Sequence, residues 1–189
     1  LYNGNNYSEE WIKEAESRGL AHLPTTVDAM HCFISEKNIS LFTRWGIYTE
    51  REMRSRYDIS LENYAKLIRI EASTMLSMAQ RSILPAVIGY ESKIAEAVSA
   101  KDRLGVPNDA EYALLKGLSA GVNALHKRIG CLFDAIAAMP KGNGEAAEYC
   151  RDKLLPAMGS LREAADALET ITAKDAWPFP TYGELLYGV

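Results

Sequence analysis

From Thr49 onward, the apolar residues of this chain recur at steps of three and four. Tyr57, Leu61, Tyr64, Ile68, Ala72, Met75, Ala79, Ile83, Val87, Tyr90, Ile94 and Val98 form one series, with Glu62, Lys66, Arg69 and Arg81 off it. That spacing marks one face of an α-helix. At its head, "TERE" sets Thr49 three residues before Glu52, the reciprocal arrangement of a capping box. Unbroken to about Arg103, the helix would span on the order of 80 Å at ~1.5 Å per residue. Pro85 lies inside it, so a kink between Arg81 and Pro85 is expected.

A second series follows the loop "LGVPND", in which Asn108 or Asp109 serves as cap. It runs Leu115, Leu118, Val122, Leu125, Ile129, Leu132, Ile136 and Met139, a heptad-like seam. Gly117, Ala120, Gly121, Ala124 and Gly130 lie near it and would let a neighbouring backbone come close, each glycine costing about 1 kcal/mol of helix propensity. "MPKGNG" ends this helix. A third runs from about residue 145 to 173, carrying Ala147, Cys150, Leu154, Met158, Leu161, Ala165, Leu168 and Thr172 on one side. Its "LLPAM", around Pro156, echoes "ILPAV" around Pro85, though the match is too short to count as a repeat.

Ahead of these, Ser8 is placed to cap a helix reaching about Arg18, with Glu9 and Glu10 at its positive end and Gly19 to stop it. Thr26 is placed to cap a short helix bearing Val27, Met30, Phe33 and Ile34. The opening "NGNN" has turn composition, and "NISLFTRWGIYTE" is apolar but broken. No period-two alternation appears, so no sheet is expected. Three long amphipathic helices bury their stripes most economically against one another. The fold expected is all-α: an antiparallel bundle of three long helices, kinked at Pro85 and Pro156, with short N-terminal helices and an extended aromatic C-terminal tail. The corresponding segments are 1–48, 49–175 and 176–189.

The tail reads "AKDAWPFPTYGELLYGV". Trp177-Pro178-Phe179-Pro180 cannot continue a helix and favours an extended strip. Solvated chain ends are poor in aromatics, so this one is expected to lie against something.

Composition narrows the function. The net charge of −4 argues against a nucleic-acid platform, which needs a basic face for phosphates. No apolar run approaches the ~20 residues of a membrane span, and no charged-then-apolar leader is seen. Cys32, Cys131 and Cys150 are too few and too scattered for a disulfide framework or a zinc site, which points to a reducing compartment such as the cytoplasm. The start at Leu1, without methionine, reads as a piece of a longer protein.

Candidate chemistry is sparse. His22, His31 and His126 are scattered, and "DAMH" (residues 28–31) is better explained as a capped helix start than as metal ligands. A di-metal bundle site would need two Glu-x-x-His pairs, which are lacking. "NGNNYSEE" has no Lys or Ser/Thr in P-loop spacing, and Glu9 and Glu10 would repel a phosphate. Met53, Met75, Met78, Met139 and Met158 would suit an adaptable groove, but most fall on the seams and read as core. "HKR" at 126–128 reads as solvated surface. No catalytic, cofactor-binding or metal-ligating residue is assigned.

Several stretches carry a family resemblance: "NGNNYSEEWIKEAESRGL", "TTVDAM", "ISEKNISLF", "RYDISLENYAKLIRIEASTMLSMAQRSILPAVI" and "LLPAMGSLREAADALETITAKDAWPFPTYGELLYGV". Together they resemble the C-terminal region of type III glutamine synthetases, most specifically at "ILPAVI" and "WPFPTYGELL", and less so between about residues 90 and 144. The resemblance implies a parent enzyme that joins ammonia to glutamate through a γ-glutamyl phosphate, using ATP and Mg or Mn. The family's catalytic motifs lie upstream, so none transfers to these residues, and this piece alone is expected to be inactive. Its implied role is assembly, stability or regulation. The implied partners are the catalytic core and the neighbouring subunits of a homo-oligomer, and residues 1–48 would include the edge of that core. In this setting Trp177, Phe179, Tyr182, Leu185 and Leu186 would dock the tail, on its own bundle or elsewhere in the assembly. The alternative is a free-standing helical-bundle module that binds a partner protein.

Overall fold

The computed structural model describes residues 4, 5, 7–180 and 182–188, the Tyr182 side chain excepted, and no strand occurs among them. Of the "NGNN" opening, Asn3 and Asn6 lie outside the described residues. The chain divides into two compact units, Leu1–Tyr64 and Ala65–Val189, with the divide inside the first long helix.

In the first unit, α1 (Glu9–Ser17) starts at Ser8, whose Oγ accepts from Trp11 N at 3.3 Å. It stops at Gly19, whose φ of 74° favours glycine. The cap of α2 (Thr26–Phe33) is Thr25, one residue earlier than the sequence pattern suggested. Thr25 Oγ1 accepts from Asp28 N at 3.2 Å and donates to Asp28 Oδ2 at 2.5 Å. The pair Thr25–Asp28 has the spacing of a capping box, which makes Thr26 the first helical residue.

The broken apolar stretch that follows holds α3 (Glu36–Arg44). Phe42 packs between Phe33 and Tyr48, with ring centroids 6.3 and 5.8 Å apart. This short helix is held by an aromatic cluster rather than by a clean stripe. Next, α4 (Glu50–Met78) opens on the expected capping box: Thr49 N and Oγ1 donate to Glu52 Oε2 at 2.8 and 2.9 Å, and Glu52 N donates back to Thr49 Oγ1 at 3.2 Å.

In the second unit, α4 continues through a π-helical turn, Ala79–Ile83, into α5 (Leu84–Leu104). Gly105 closes α5 in the left-handed region at φ 64°. Asn108 heads α6 (Asp109–Ala137), but its side chain makes no cap bond. Instead its amide reaches back, donating to Asp102 Oδ1 at 2.7 Å and Val98 O at 3.3 Å. Lys101 also pairs with Glu111 across this hairpin.

After α6 come α7 (Asn143–Tyr149), a second π-helical turn at Cys150–Leu154, and α8 (Leu155–Glu169). Each π-helical turn ends two residues before a proline, Pro85 or Pro156, so "ILPAV" and "LLPAM" share a local structure despite their brevity.

Helix α6 packs against both α5 and α8. Its direction against α8 is antiparallel: Gly117 faces Ile171 and Gly121 faces Leu168, while Tyr149 Oη donates to Ala135 O at 3.0 Å near the other end. At Gly121 the approach is closest. A Cβ there would stand within contact distance of Leu168 Cδ2 and 3.0 Å from its Cγ. Leu118, Leu125, Leu132, Leu154, Leu161 and Leu168 are fully buried in this unit.

Candidate functional site

The tail leaves α8 through a turn in which Ala176 N and Trp177 N both donate to Ala173 O, at 2.9 and 3.1 Å. The strip expected to be extended is instead bent at Pro178 and Phe179, and Tyr182–Tyr187 form a short helix, α9. "YGELLY" lies beyond the last proline, so nothing in it forbids helical backbone. Lys174 Nζ holds α9 through Glu184 Oε1 at 2.9 Å.

This path brings Trp177, Phe179, Pro180 and Leu185 to one apolar cavity of about 660 Å³. Its walls are Ile70, Met75 and Met78 of α4, Ala79 and Ile83 of the first π-helical turn, and Met158, Leu161 and Ala165 of α8. Thr74, Glu71, Arg162, Asp166 and Glu169 supply the polar groups of the lining. Arg162 Nε lies 3.3 Å from Asp166 Oδ2, both side chains being largely exposed.

The sequence-derived tail residues therefore separate. Trp177 and Phe179 are half-buried and line the cavity; Leu185 lines it while 65% exposed; Leu186 is 74% exposed and does not line it. The Tyr182 side chain lies outside the described residues. The polar rim was not anticipated. The signal available was the methionines, Met75 and Met158 on the seams and Met78 beside the first, which two helices present to one place.

Elsewhere the scattered residues remain apart. His22 and His126 are exposed, and Tyr57 Oη lies 3.1 Å from His31 Nδ1. Among the described residues no three His, Cys, Asp or Glu side chains converge as metal ligands. No buried side-chain N or O among them lacks a hydrogen-bond partner. Cys150 is buried with its Sγ 3.9 Å from Ala65 O, and burial raises its thiol pKa, the opposite of what a nucleophile needs. No helix is long and apolar enough to cross a membrane among the described residues.

Comparison with known proteins adds what geometry cannot. The pattern of the family described as "Glutamine synthetase C-terminal domain" matches residues 1–102. A glutamine synthetase of Butyrivibrio fibrisolvens is 36% identical over 196 residues, covering 100% of this chain and 28% of its own length. The type-3 glutamine synthetase of Dictyostelium discoideum is 34% identical, covering 99% of this chain and 26% of its own. A Bacteroides fragilis glutamine synthetase is 25% identical, with 98% and 27% covered. The chain thus spans about a quarter of the length of these relatives.

Proposed function

The chain belongs to the glutamine synthetase C-terminal domain family, and from that premise we propose that it is a non-catalytic helical part of a type III glutamine synthetase that serves assembly. The parent would make glutamine from glutamate, ammonia and ATP with Mg or Mn, in the cytoplasm. Its catalytic core and the neighbouring subunits of a homo-oligomer would be this domain's partners, with residues 1–48 bordering the core. What carries the reading is the alignment of nearly the whole chain with the type-3 relative, and of the whole chain with a second glutamine synthetase. The two-sided tail gives it a mechanism. Trp177 and Phe179 anchor the tail on its own helices, while Leu186 and the outer face of Leu185 are turned to solvent. Fully burying such a leucine in a subunit contact is worth about 1.5–3 kcal/mol, repeated at every copy of the interface.

The test is made in the full-length protein. Leu186→Asp is expected to shift sedimentation toward smaller species while the far-UV spectrum stays unchanged, and deletion of 176–189 is expected to do so more severely. If the tail-deleted protein keeps its full assembly size, a role for the tail in assembly is wrong. The 189-residue chain alone should show no ATP hydrolysis and no glutamyl transfer; measurable turnover would overturn the non-catalytic assignment.

A further inference from the structure

The cavity beneath the tail holds more than a packing defect would. Its volume of about 660 Å³ lies in the range of small-molecule sites. Its roof, Trp177 and Phe179, is only half-buried. Met75, Met78 and Met158 give the walls a polarisable, adaptable surface.

The charges select among ligands. Three carboxylates, Glu71, Asp166 and Glu169, line the cavity against one cation, Arg162. Arg162 is engaged with Asp166. Glu71 and Glu169 find no ion pair among the described residues, so carboxylates outnumber cations in a lining that also includes the Trp177 indole. An indole face attracts cations through its quadrupole, and free carboxylates add a Coulombic pull of the same sign. An anion would meet repulsion from Glu71 and Glu169. A partner helix, roughly 10–12 Å across with its side chains, would have to displace the tail held by Lys174 and Glu184.

We propose that this cavity is a binding site for a small apolar organic cation, its hydrophobic body among the methionines and its charged group between Trp177 and the carboxylates Glu71 and Glu169. Occupancy would also fasten the tail to the helices, because the roof residues gain a packing partner.

The test is calorimetric titration of the full-length protein with three probes that share one ring system: naphthylmethylammonium, naphthylmethanol and naphthylacetate. The ammonium is expected to bind at least tenfold more tightly than the alcohol, and the acetate most weakly. In the Glu71→Gln/Glu169→Gln variant most of the ammonium's advantage over the alcohol should be lost, the remainder being the share of Trp177. Both positions are exposed, so a folding defect would not account for that loss. Trp177→Ala should weaken the ammonium more than the alcohol. Equal binding of the three probes would overturn the proposal, as would binding unchanged by deletion of 176–189. No binding to the intact protein would mean that a second copy or the rest of the chain fills the cavity, which also overturns it. So would a basic amphipathic peptide that binds there when the ammonium does not.

Discussion

Replacing Gly121 by alanine tests the central packing claim, that α6 and α8 approach so closely there that no side chain fits between them. The new Cβ would stand within contact distance of Leu168 Cδ2 and 3.0 Å from Cγ. Leu168 is 1% exposed and cannot swing into solvent. It must leave its rotamer or the helices must separate, which for overpacked cores costs about 1–3 kcal/mol. Alanine returns about 1 kcal/mol of helix propensity, leaving a net loss of about 0–2 kcal/mol.

Gly130 removes the ambiguity. It lies on the same helix with nothing within 4 Å of its would-be Cβ. Gly130→Ala gains the same propensity without the clash, so the difference between the two variants isolates the steric cost, about 1–3 kcal/mol. For a chain of this size that is a gap of about 2–12 °C in Tm, measured by circular dichroism on heating, with urea denaturation as a second measure. A Gly121→Ala/Leu168→Ala double variant should be less destabilised than the sum of its parts, because the clash partner is gone. If Gly121→Ala and Gly130→Ala melt together, the close approach at Leu168 is refuted.

The other predictions are simpler. Thr49→Ala should destabilise the chain by about 0.5–2 kcal/mol through loss of the N-cap of α4, with the onset of α4 shown frayed by hydrogen exchange. The Thr49 backbone and side-chain donors hold the Glu52 carboxyl below the usual carboxylate range. Its contribution is therefore complete above the unfolded value and lost as pH falls through the folded one, so the stability gap between Glu52→Gln and the parent should close in acid. Cys32 and Cys131 are exposed and Cys150 is buried with a raised thiol pKa. A thiol reagent should therefore label two cysteines in the native chain and the third only on unfolding; rapid native labelling of Cys150 would contradict the packing around it.

The helices were legible wherever one residue type had one physical task. Ser8, Gly19, the Thr49–Glu52 pair and the seam from Leu118 to Leu132 act through nearest neighbours along the chain, and the structure places them as the spacing implied. Thr25 was missed because two adjacent threonines offer the same cap chemistry, and only the Asp28 contact chooses between them. Helix α3 was obscure because its support, Phe42 between Phe33 and Tyr48, comes from outside its own period. The cavity was beyond reach for a related reason. Its lining joins residues about a hundred positions apart, and the tail was read as extended when its last part is helical. Hydrophobic spacing reports which face is buried, not which two faces leave a gap.

One signal was present in the spacing and carries more than the prolines themselves. Across Pro85 the buried positions run Ala79, Ile83, Val87, two consecutive steps of four; across Pro156 they run Cys150, Leu154, Met158, the same steps in the same register. In a regular α-helix, eight residues overshoot two turns by roughly 80°, given ~3.6 residues per turn, so the third residue of each trio would drift toward the edge of the apolar stripe. All six are nonetheless buried, at 8% exposure or less. The π-helical turns Ala79–Ile83 and Cys150–Leu154 absorb the surplus, because a wider i→i−5 turn takes an extra residue without turning the stripe away. The proline then sits just past the widened turn, where the regular i→i−4 ladder is already interrupted and its missing N–H breaks fewer bonds than it would mid-helix. Surplus residue, π-helical turn and proline thus compensate one another, and each helix passes its proline with its core face intact.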